Sequence, residues 1–184
     1  MLQGGDNMNK ELLSILDEIK NNKTIEIQDI PKLDLYMDQV ITLFDNILDQ
    51  GEKSDKNKHL TKTMINNYAK DKLLPPIHNK KYSMNHIILL ILIYNLKQGI
   101  PINSIKNVLS TLIENNDEKE LTDLYSKYLE KSKGNLEKFL ENEKSQIENL
   151  KDENEELILH ILSLINLSNL YRNLAEEIVE KYFE

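Results

Sequence analysis

The chain has 184 residues, with five Gly, four Pro and no Cys, and its formal net charge is -8. Gly and Pro together fall far below their average share of about 12%, which argues against a loop-rich or all-β fold. The absence of Cys excludes disulfides, thiolate metal sites and a cysteine nucleophile. With 40% apolar and 29% charged residues, the composition is typical of a folded globular protein rather than a disordered one.

The charge is distributed unevenly along the chain. The segment from Lys53 to Gln98 contains nine Lys and two acidic residues, a balance of +7, whereas the remainder has a balance of -15. A basic segment in an otherwise acidic protein indicates an anion-binding surface, and nucleic acid is its commonest partner. A solvated Lys-rich loop would give the same composition, so charge alone leaves both interpretations open.

The chain shows no targeting or membrane-spanning pattern. The first residues, Met1 to Asp6, are polar and do not form the apolar core of a secretory signal. The most apolar stretch, Ile87 to Tyr94, has eight residues, well short of the roughly 20 that cross a bilayer as a helix. We therefore expect a cytoplasmic protein.

The N-terminal half shows helical spacing of apolar residues in three places, each bounded by Gly, Pro or polar residues. In chain order, the predicted elements are a helix over Asn9–Asn21, an extended segment over Thr24–Ile30, a helix over Asp34–Gln50, a polar loop over Glu52–His59, and a helix over Leu60–Lys72 that is capped by Thr61 or Thr63 and ends at Leu73-Leu74-Pro75-Pro76.

The C-terminal half is predicted to be helical almost throughout. In chain order, the predicted elements are a basic connection over Ile77–Tyr82, a helix from Ser83 to Gln98, a helix over Pro101–Leu112 and a helix from Leu121 that closes near Gly134. After them come a coiled-coil-like seam of Leu136, Leu140, Ile147 and Leu150, in which Glu143 occupies one seam position, and the longest helix, over Leu157–Phe183. This last helix is apolar nearly all round up to Leu174, so we expect it to be buried, either centrally or in a dimer interface. The predicted fold class is all-α.

One stretch carries a specific sequence pattern. Residues 61–109 read T-K-T-M-I-N-N-Y-A-K-D-K-L-L-P-P, then K-K-Y-S, then an apolar helix, then K-Q-G-I-P-I-N-S-I-K-N-V-L. This order resembles the DNA-binding half of MerR-type winged helix-turn-helix regulators, in which a recognition helix, a Leu-Leu-Pro turn, a basic wing and two further helices follow one another. The residues in register with that pattern are Tyr68, Leu73, Leu74, Pro75, Tyr82, Ser83, Gly99, Ile102, Ile105 and Leu109.

A second motif narrows the resemblance. The run D-L-Y-M-D-Q-V over Asp34–Val40, taken together with the stretch above, is similar to the bacterial domain-of-unknown-function 1836 family, whose members are regarded as MerR-like. The resemblance implies a MerR-like winged helix-turn-helix domain over residues 25–114, preceded by an N-terminal helix over 1–24. It also implies a C-terminal helical region over 115–184 that dimerises and receives a small-molecule or protein effector. The expected function is that of a homodimeric transcriptional regulator that binds double-stranded DNA.

The candidate DNA contacts follow from helix geometry and charge. Lys62, Asn66 and Lys70 recur at i+4 and therefore share one face of the predicted recognition helix. Asn can pair with adenine in the major groove, and Lys neutralises phosphates. Contacts with four to six phosphates would give a salt dependence of log K with a slope of about -4 to -5. The complete set of expected DNA-binding residues is Lys58, Lys62, Asn66, Asn67, Lys70, Lys72, Lys80, Lys81 and Tyr82.

Other interpretations remain open for several of these residues. Tyr82 is equally explained as a packing residue, and Asn66 and Asn67 as polar surface. Asn66 also stands where MerR regulators place a phosphate-binding Arg, and Lys72 where they place a Gly before Leu-Leu. The alternative function is therefore a protein-interaction module with a winged-helix fold that has lost DNA binding and docks an acidic partner through its basic wing.

Catalysis has no support in the sequence. The chain contains no Gly-rich phosphate loop, no Gly-x-Ser-x-Gly and no His-Glu-x-x-His. No two His share metal-ligand spacing with a carboxylate on one helix. We therefore expect a protein that is not an enzyme and that binds neither a cofactor nor a metal.

Overall fold

The computed structural model of the chain describes residues 5–21, 23–48 and 60–184. Within them the fold is predominantly helical, which confirms the all-α prediction. The helices are α1 (Gly5–Lys20), α2 (Met37–Leu48), α3 (Lys62–Lys70), α4 (Met84–Leu96), α5 (Ile102–Asn115), α6 (Glu118–Glu148) and α7 (Asn154–Phe183). Two short strands, β1 (Leu35–Tyr36) and β2 (Lys81–Tyr82), form an antiparallel pair.

Residue contacts divide the chain into two compact units. The described residues of the first unit are 5–21 and 130–173, and those of the second are 23–48, 60–129 and 174–184. The division falls within α6 and α7 rather than between elements.

The second unit is organised around α4. This helix is apolar on every side, and each residue from Asn85 to Ile93 is buried, as expected for a helix at the centre of a core. The core residues around it come mainly from α2, α3, the Leu-Leu turn, α5 and α6: Val40, Phe44, Ile65, Tyr68, Leu73, Leu74, Ile105, Leu109, Leu121 and Tyr125. The sequence patterns of α2, α3 and α5 therefore reflect burial against one central helix.

The structure departs from two predictions for the segment before α2. The predicted extended segment Thr24–Ile30 is extended at Glu26 and Ile30 but is interrupted by a 3-10 turn, Ile27–Asp29, in which the side chain of Asp29 accepts the backbone N–H of Glu26 at 2.9 Å. The predicted helix start at Asp34 is wrong, since Leu35 and Tyr36 pair with β2 and the helix begins only at Met37. Pairing with a strand 45 residues away overrides the local helical pattern.

The first unit consists of α1, the second half of α6 and most of α7. The prediction that a helix closes near Gly134 is wrong, because α6 passes through this residue without a break. The whole helix has 31 residues and is longer than α7, which has 30. A mid-helix Gly costs about 1 kcal/mol relative to Ala, which the helical hydrogen bonds and packing on either side outweigh. Leu16 of α1 and Ile147 of α6 are buried in this unit.

Helix α7 departs from the expectation of central burial. Most of its large apolar side chains are exposed in the single chain, including Ile158 at 56%, Leu162 at 59% and Ile165 at 57%. Among the described helices, none combines the length and the apolar character that crossing a membrane requires. The alternative expectation, burial in a dimer interface, stays a prediction.

Candidate nucleic-acid interface

Helix α3 separates a buried face from a polar one. Thr61 caps its start by accepting the backbone N–H of Met64 at 3.2 Å, as expected from the sequence. Ile65 and Tyr68 are buried in the core. Lys62, Asn66, Asn67 and Lys70 are all exposed, so the i+4 row Lys62, Asn66 and Lys70 forms a free face of the helix.

The end of α3 is fixed by a Schellman motif. The backbone N–H of Leu73 donates to the carbonyl of Tyr68 at 2.8 Å, and that of Lys72 donates to the carbonyl of Ala69 at 3.2 Å. This motif places Lys72 in the left-handed region, with φ of 60°, a conformation that glycine adopts at no steric cost. The Lys72 side chain is exposed beside the exposed face of α3.

The basic connection after Pro76 forms a tight hairpin, which we call the wing (residues 77–82). Asn79 and Lys80 both have positive φ, 51° and 60°, and the N–H of Lys81 donates to the carbonyl of His78 at 2.9 Å. Two consecutive positive φ values within such a turn define type I′, which suits the twist of a hairpin. Lys80 is therefore held exposed at the tip of the wing.

The wing is anchored to the core by its last residue. Tyr82 is only 3% exposed and packs edge-on against His86, with ring centroids 5.7 Å apart. Burial raises the pKa of Tyr82 and lowers that of His86. His86 Nδ1 accepts the N–H of Ser83 at 3.2 Å, so its Nε2 carries the proton and donates to the carbonyl of Pro75 at 3.2 Å. One neutral imidazole thus joins the wing, the start of α4 and the turn after α3.

Residues 36–38, where β1 passes into α2, contact both α3 and the wing. Asp38 Oδ1 lies 2.6 Å from Lys62 Nζ. Two residues earlier, Tyr36 pairs with Lys81 in the sheet, and the Lys81 ammonium lies 5.6 Å from the centroid of the Tyr36 ring. Residues 36–38 therefore bring the start of α3 and the base of the wing to one site.

The expected DNA-binding residues differ in their exposure to solvent. Six of them are exposed on α3, its C-terminal turn or the wing tip: Lys62, Asn66, Asn67, Lys70, Lys72 and Lys80. Lys81 is partly exposed over Tyr36. Tyr82 belongs to the core, which is the packing interpretation that the sequence left open. Lys58 lies outside the described residues.

Sequence reasoning missed two residues of this surface. Tyr36 falls within the helix predicted over Asp34–Gln50, yet it lies in β1 and is 54% exposed. Asp38 was not singled out at all, because an acid near a helix start is explained by the helix dipole alone. The D-L-Y-M-D-Q-V motif contains both residues, but only the strand pairing of Tyr36 shows that they lie beside the basic residues.

Comparison with known proteins assigns the chain to one family. The family model described as Domain of unknown function (DUF1836) matches residues 25–128, which is more than half of the chain and includes α2, α3, the wing, α4 and α5. The chain belongs to this family. Neither the curated proteins nor the solved structures gave a match.

Proposed function

We propose that this protein is a DNA-binding transcriptional regulator with a MerR-like winged helix-turn-helix domain. In this proposal α3 is the recognition helix, α2 is the first helix of the motif, and the wing contacts the DNA backbone. The observation that carries the proposal is that residues 36–38, where β1 passes into α2, bring Lys62 of α3 and Lys81 of the wing to one site. A recognition helix and a wing must be juxtaposed in this way to engage one DNA segment.

The residues of the site suit the two kinds of DNA contact. Asn66 lies exposed in the middle of α3, where a side chain that enters the major groove can form a bidentate pair with adenine, worth about 1–3 kcal/mol of discrimination. Lys70, Lys72, Lys80 and Lys81 carry charge at the end of α3 and along the wing, where contacts with phosphates position a protein without reading bases. The described residues from 60 to 98 contain six Lys and one acid, so this surface is basic within an acidic chain.

The regulator is proposed to act as a homodimer. Helix-turn-helix dimers read two half-sites about one helical turn apart, so two copies of α3 would lie about 34–36 Å from each other. The exposed apolar face of α7 formed by Ile158, Leu162 and Ile165 is the proposed dimer contact, because a monomer rarely leaves so large an apolar surface in water. The proposal includes no catalytic step.

A second candidate function is an interaction module that keeps the fold without binding DNA. The ion pair of Lys62 with Asp38 favours it, since a carboxylate on the candidate surface repels phosphate. Asn66 in place of the Arg typical of MerR regulators points the same way. In this alternative the basic wing would dock an acidic protein segment.

Fluorescence anisotropy of labelled duplexes tests the proposal. The duplex from the gene's upstream region and a scrambled duplex would be titrated with protein over about 50–300 mM salt. We expect preference for the upstream duplex and a slope of log K against log salt of about -4 to -5. The absence of binding to either duplex at the lowest salt would contradict the proposal and favour the interaction module.

A charge-reversal pair identifies the binding surface. Lys80→Glu/Lys81→Glu should weaken binding to both duplexes and reduce the salt slope by about two, since each lost phosphate contact contributes about one. Lys131→Glu/Lys133→Glu, on exposed positions of α6, changes the net charge equally and serves as the control. Equal loss of binding in both variants would show a general charge effect and not a wing contact.

A further inference from the structure

The first unit contains a cavity of about 580 Å³ between α6 and α7. Its apolar wall is formed by Phe139 of α6 and by Leu164, Leu167 and Tyr171 of α7. Cavities of about 300–1,000 Å³ with apolar walls and a few polar groups are typical of small-molecule sites. Its polar lining residues include Asn142, Ser168 and Glu143, and Glu143 is the only one of these three that is buried.

Glu143 is a buried carboxylate that the protein only partly satisfies. The residue is 4% exposed, and its Oε1 accepts a hydrogen bond from Asn142 Nδ2 at 2.9 Å. Its Oε2 is buried and has no hydrogen-bond partner, and the Nε2 atom of His160 lies 3.4 Å from it. That separation exceeds the 2.7–3.2 Å of a normal N–H···O bond, so this oxygen has only a long contact with His160 and no hydrogen bond of normal length.

Folding does not explain an acid at this position. Glu143 occupies the seam in which Leu136, Leu140 and Ile147 are apolar, and burial of a carboxylate with an unsatisfied oxygen destabilises a fold. An apolar residue there would pack against α7 without this penalty. A buried polar group that weakens the fold at a cavity wall is a candidate for a ligand contact.

We propose that the cavity binds an organic amine with an apolar body. The ammonium group donates a charge-assisted hydrogen bond to Glu143 Oε2, taking the place of the long His160 contact. The apolar body lies along Leu164 and Leu167, and the rings of Phe139 and Tyr171 attract the cation through their faces. Binding of the amine does not depend on the proposed function, whereas a role for the amine as effector of DNA binding rests on it.

Lys138 favours a ligand of the opposite charge. It also lines the cavity and would favour a carboxylate in place of an amine. Its side chain is exposed, and a long Lys side chain keeps its ammonium group in water, whereas the Glu143 carboxylate is fixed and buried. We therefore infer that the buried charge selects the ligand.

Three probes that differ only in the head group separate these possibilities: 4-phenylbutylamine, 4-phenylbutan-1-ol and 4-phenylbutyrate. Isothermal titration of the full chain, with no DNA present, should show the amine binding at least about tenfold more tightly than the alcohol or the carboxylate. Tighter binding of the carboxylate, equal binding of all three, or no binding up to about 5 mM would overturn the proposal. None of these results bears on DNA binding, so failure here is distinguishable from failure of the proposed function.

Variants at Glu143 complete the test. Glu143→Gln retains the side-chain shape and should lose at least about tenfold in amine affinity, and Glu143→Leu should lose the binding while raising the melting temperature. Glu137→Gln makes the same change at an exposed position of α6 outside the cavity lining, so it is the matched control and should bind the amine as tightly as the natural chain. Unchanged amine affinity in Glu143→Gln would overturn the assignment even if Glu143→Leu failed to fold.

Discussion

Lys62 Nζ and Asp38 Oδ1 lie 2.6 Å apart, so the first residue of α3 is paired with an acid in the first turn of α2. Both side chains are largely exposed, 62% for Lys62 and 74% for Asp38. Exposed ion pairs contribute little to stability, about 0–1 kcal/mol. The pair therefore matters less for the fold than for the charge that the surface presents to a polyanion.

The first prediction is that Asp38→Asn tightens DNA binding. The substitution frees Lys62 for a phosphate and removes a negative charge from the surface, so we expect an affinity gain of about three- to tenfold at low salt, corresponding to about 1 kcal/mol. Anisotropy titration with the upstream duplex measures it. Asp123→Asn, an exposed position on α6, makes the same change in net charge and should have little effect. If Asp38→Asn binds DNA no better than this control, Lys62 is not a DNA contact.

The second prediction is that Lys72→Gly stabilises the protein. Lys72 has φ of 60° at the end of α3, and a left-handed conformation costs a non-glycine residue about 1 kcal/mol. Chemical denaturation should show an increase of about 0.5–1 kcal/mol in the free energy of unfolding. Lys70→Gly, at the last residue of α3, removes the same charge from a right-handed helical position and should destabilise the protein by at most about 1 kcal/mol. A loss of stability in both variants would contradict the Schellman ending.

The element types of the DUF1836 region could largely be predicted from its sequence, because local signals and burial agree there. Thr61 caps α3, Ser83 precedes α4, and the apolar spacing of α5 places Ile105 and Leu109 in the core. The wing was predictable as a basic, non-helical connection, whereas its pairing with Leu35 and Tyr36 was not. A strand of two residues is too short to show an alternating apolar pattern, so the sequence predicts β1 as part of a helix.

The first unit was harder to predict, since its signals are non-local. Gly134 indicated a helix end, but packing on either side of it keeps α6 continuous. In the sequence, Glu143 only interrupts an apolar seam. The fold shows that His160 lies near it and that it lines a cavity. The apolar pattern of α7 indicated burial, and the single chain does not provide a partner for it.

The third prediction concerns stability at alkaline pH. The hydroxyl of Tyr125 is buried and donates to the carbonyl of Ile25 at 2.5 Å, and burial raises the pKa of Tyr125 well above its ordinary value. The folded state therefore holds this proton more tightly than the unfolded state, whose Tyr titrates near pH 10. The resulting stability is complete below about pH 10 and is lost as the pH rises through the folded-state pKa.

Tyr125→Phe provides the test of this assignment. It should cost about 1–2 kcal/mol near neutral pH, because the buried carbonyl of Ile25 loses its donor. It should also flatten the loss of stability above about pH 10, leaving the smaller share of Tyr82, whose pKa burial also raises. Urea denaturation at several pH values measures both effects, with Tyr182→Phe, at an exposed position, as the control. An unchanged alkaline slope in Tyr125→Phe would show that Tyr125 does not cause it.

The fourth prediction is that the apolar face of α7 forms the homodimer. Ile158, Leu162 and Ile165 recur at i+4 and i+3 and are each more than half exposed, and the segment from Leu157 to Leu174 contains no acid and a single Arg. A two-fold interface sets a patch against its own copy, so an uncharged apolar patch is self-complementary. Leu162→Glu/Ile165→Glu would place like charges across that interface. We expect the natural chain to be a dimer by light scattering and this variant to be a monomer with weakened DNA binding.

The control for the dimer is a substitution of the same kind at an exposed Leu elsewhere. Leu33 is 81% exposed and lies outside the helices, so Leu33→Glu should leave the dimer intact. Circular dichroism would verify that the α7 variant keeps its helices. A natural chain that is monomeric at micromolar concentration, or an α7 variant that stays dimeric, would show that another surface or partner covers α7. If the variant is monomeric yet binds the duplex with unchanged affinity, dimerisation is not needed for DNA binding, because a dimer gains affinity by engaging two half-sites at once.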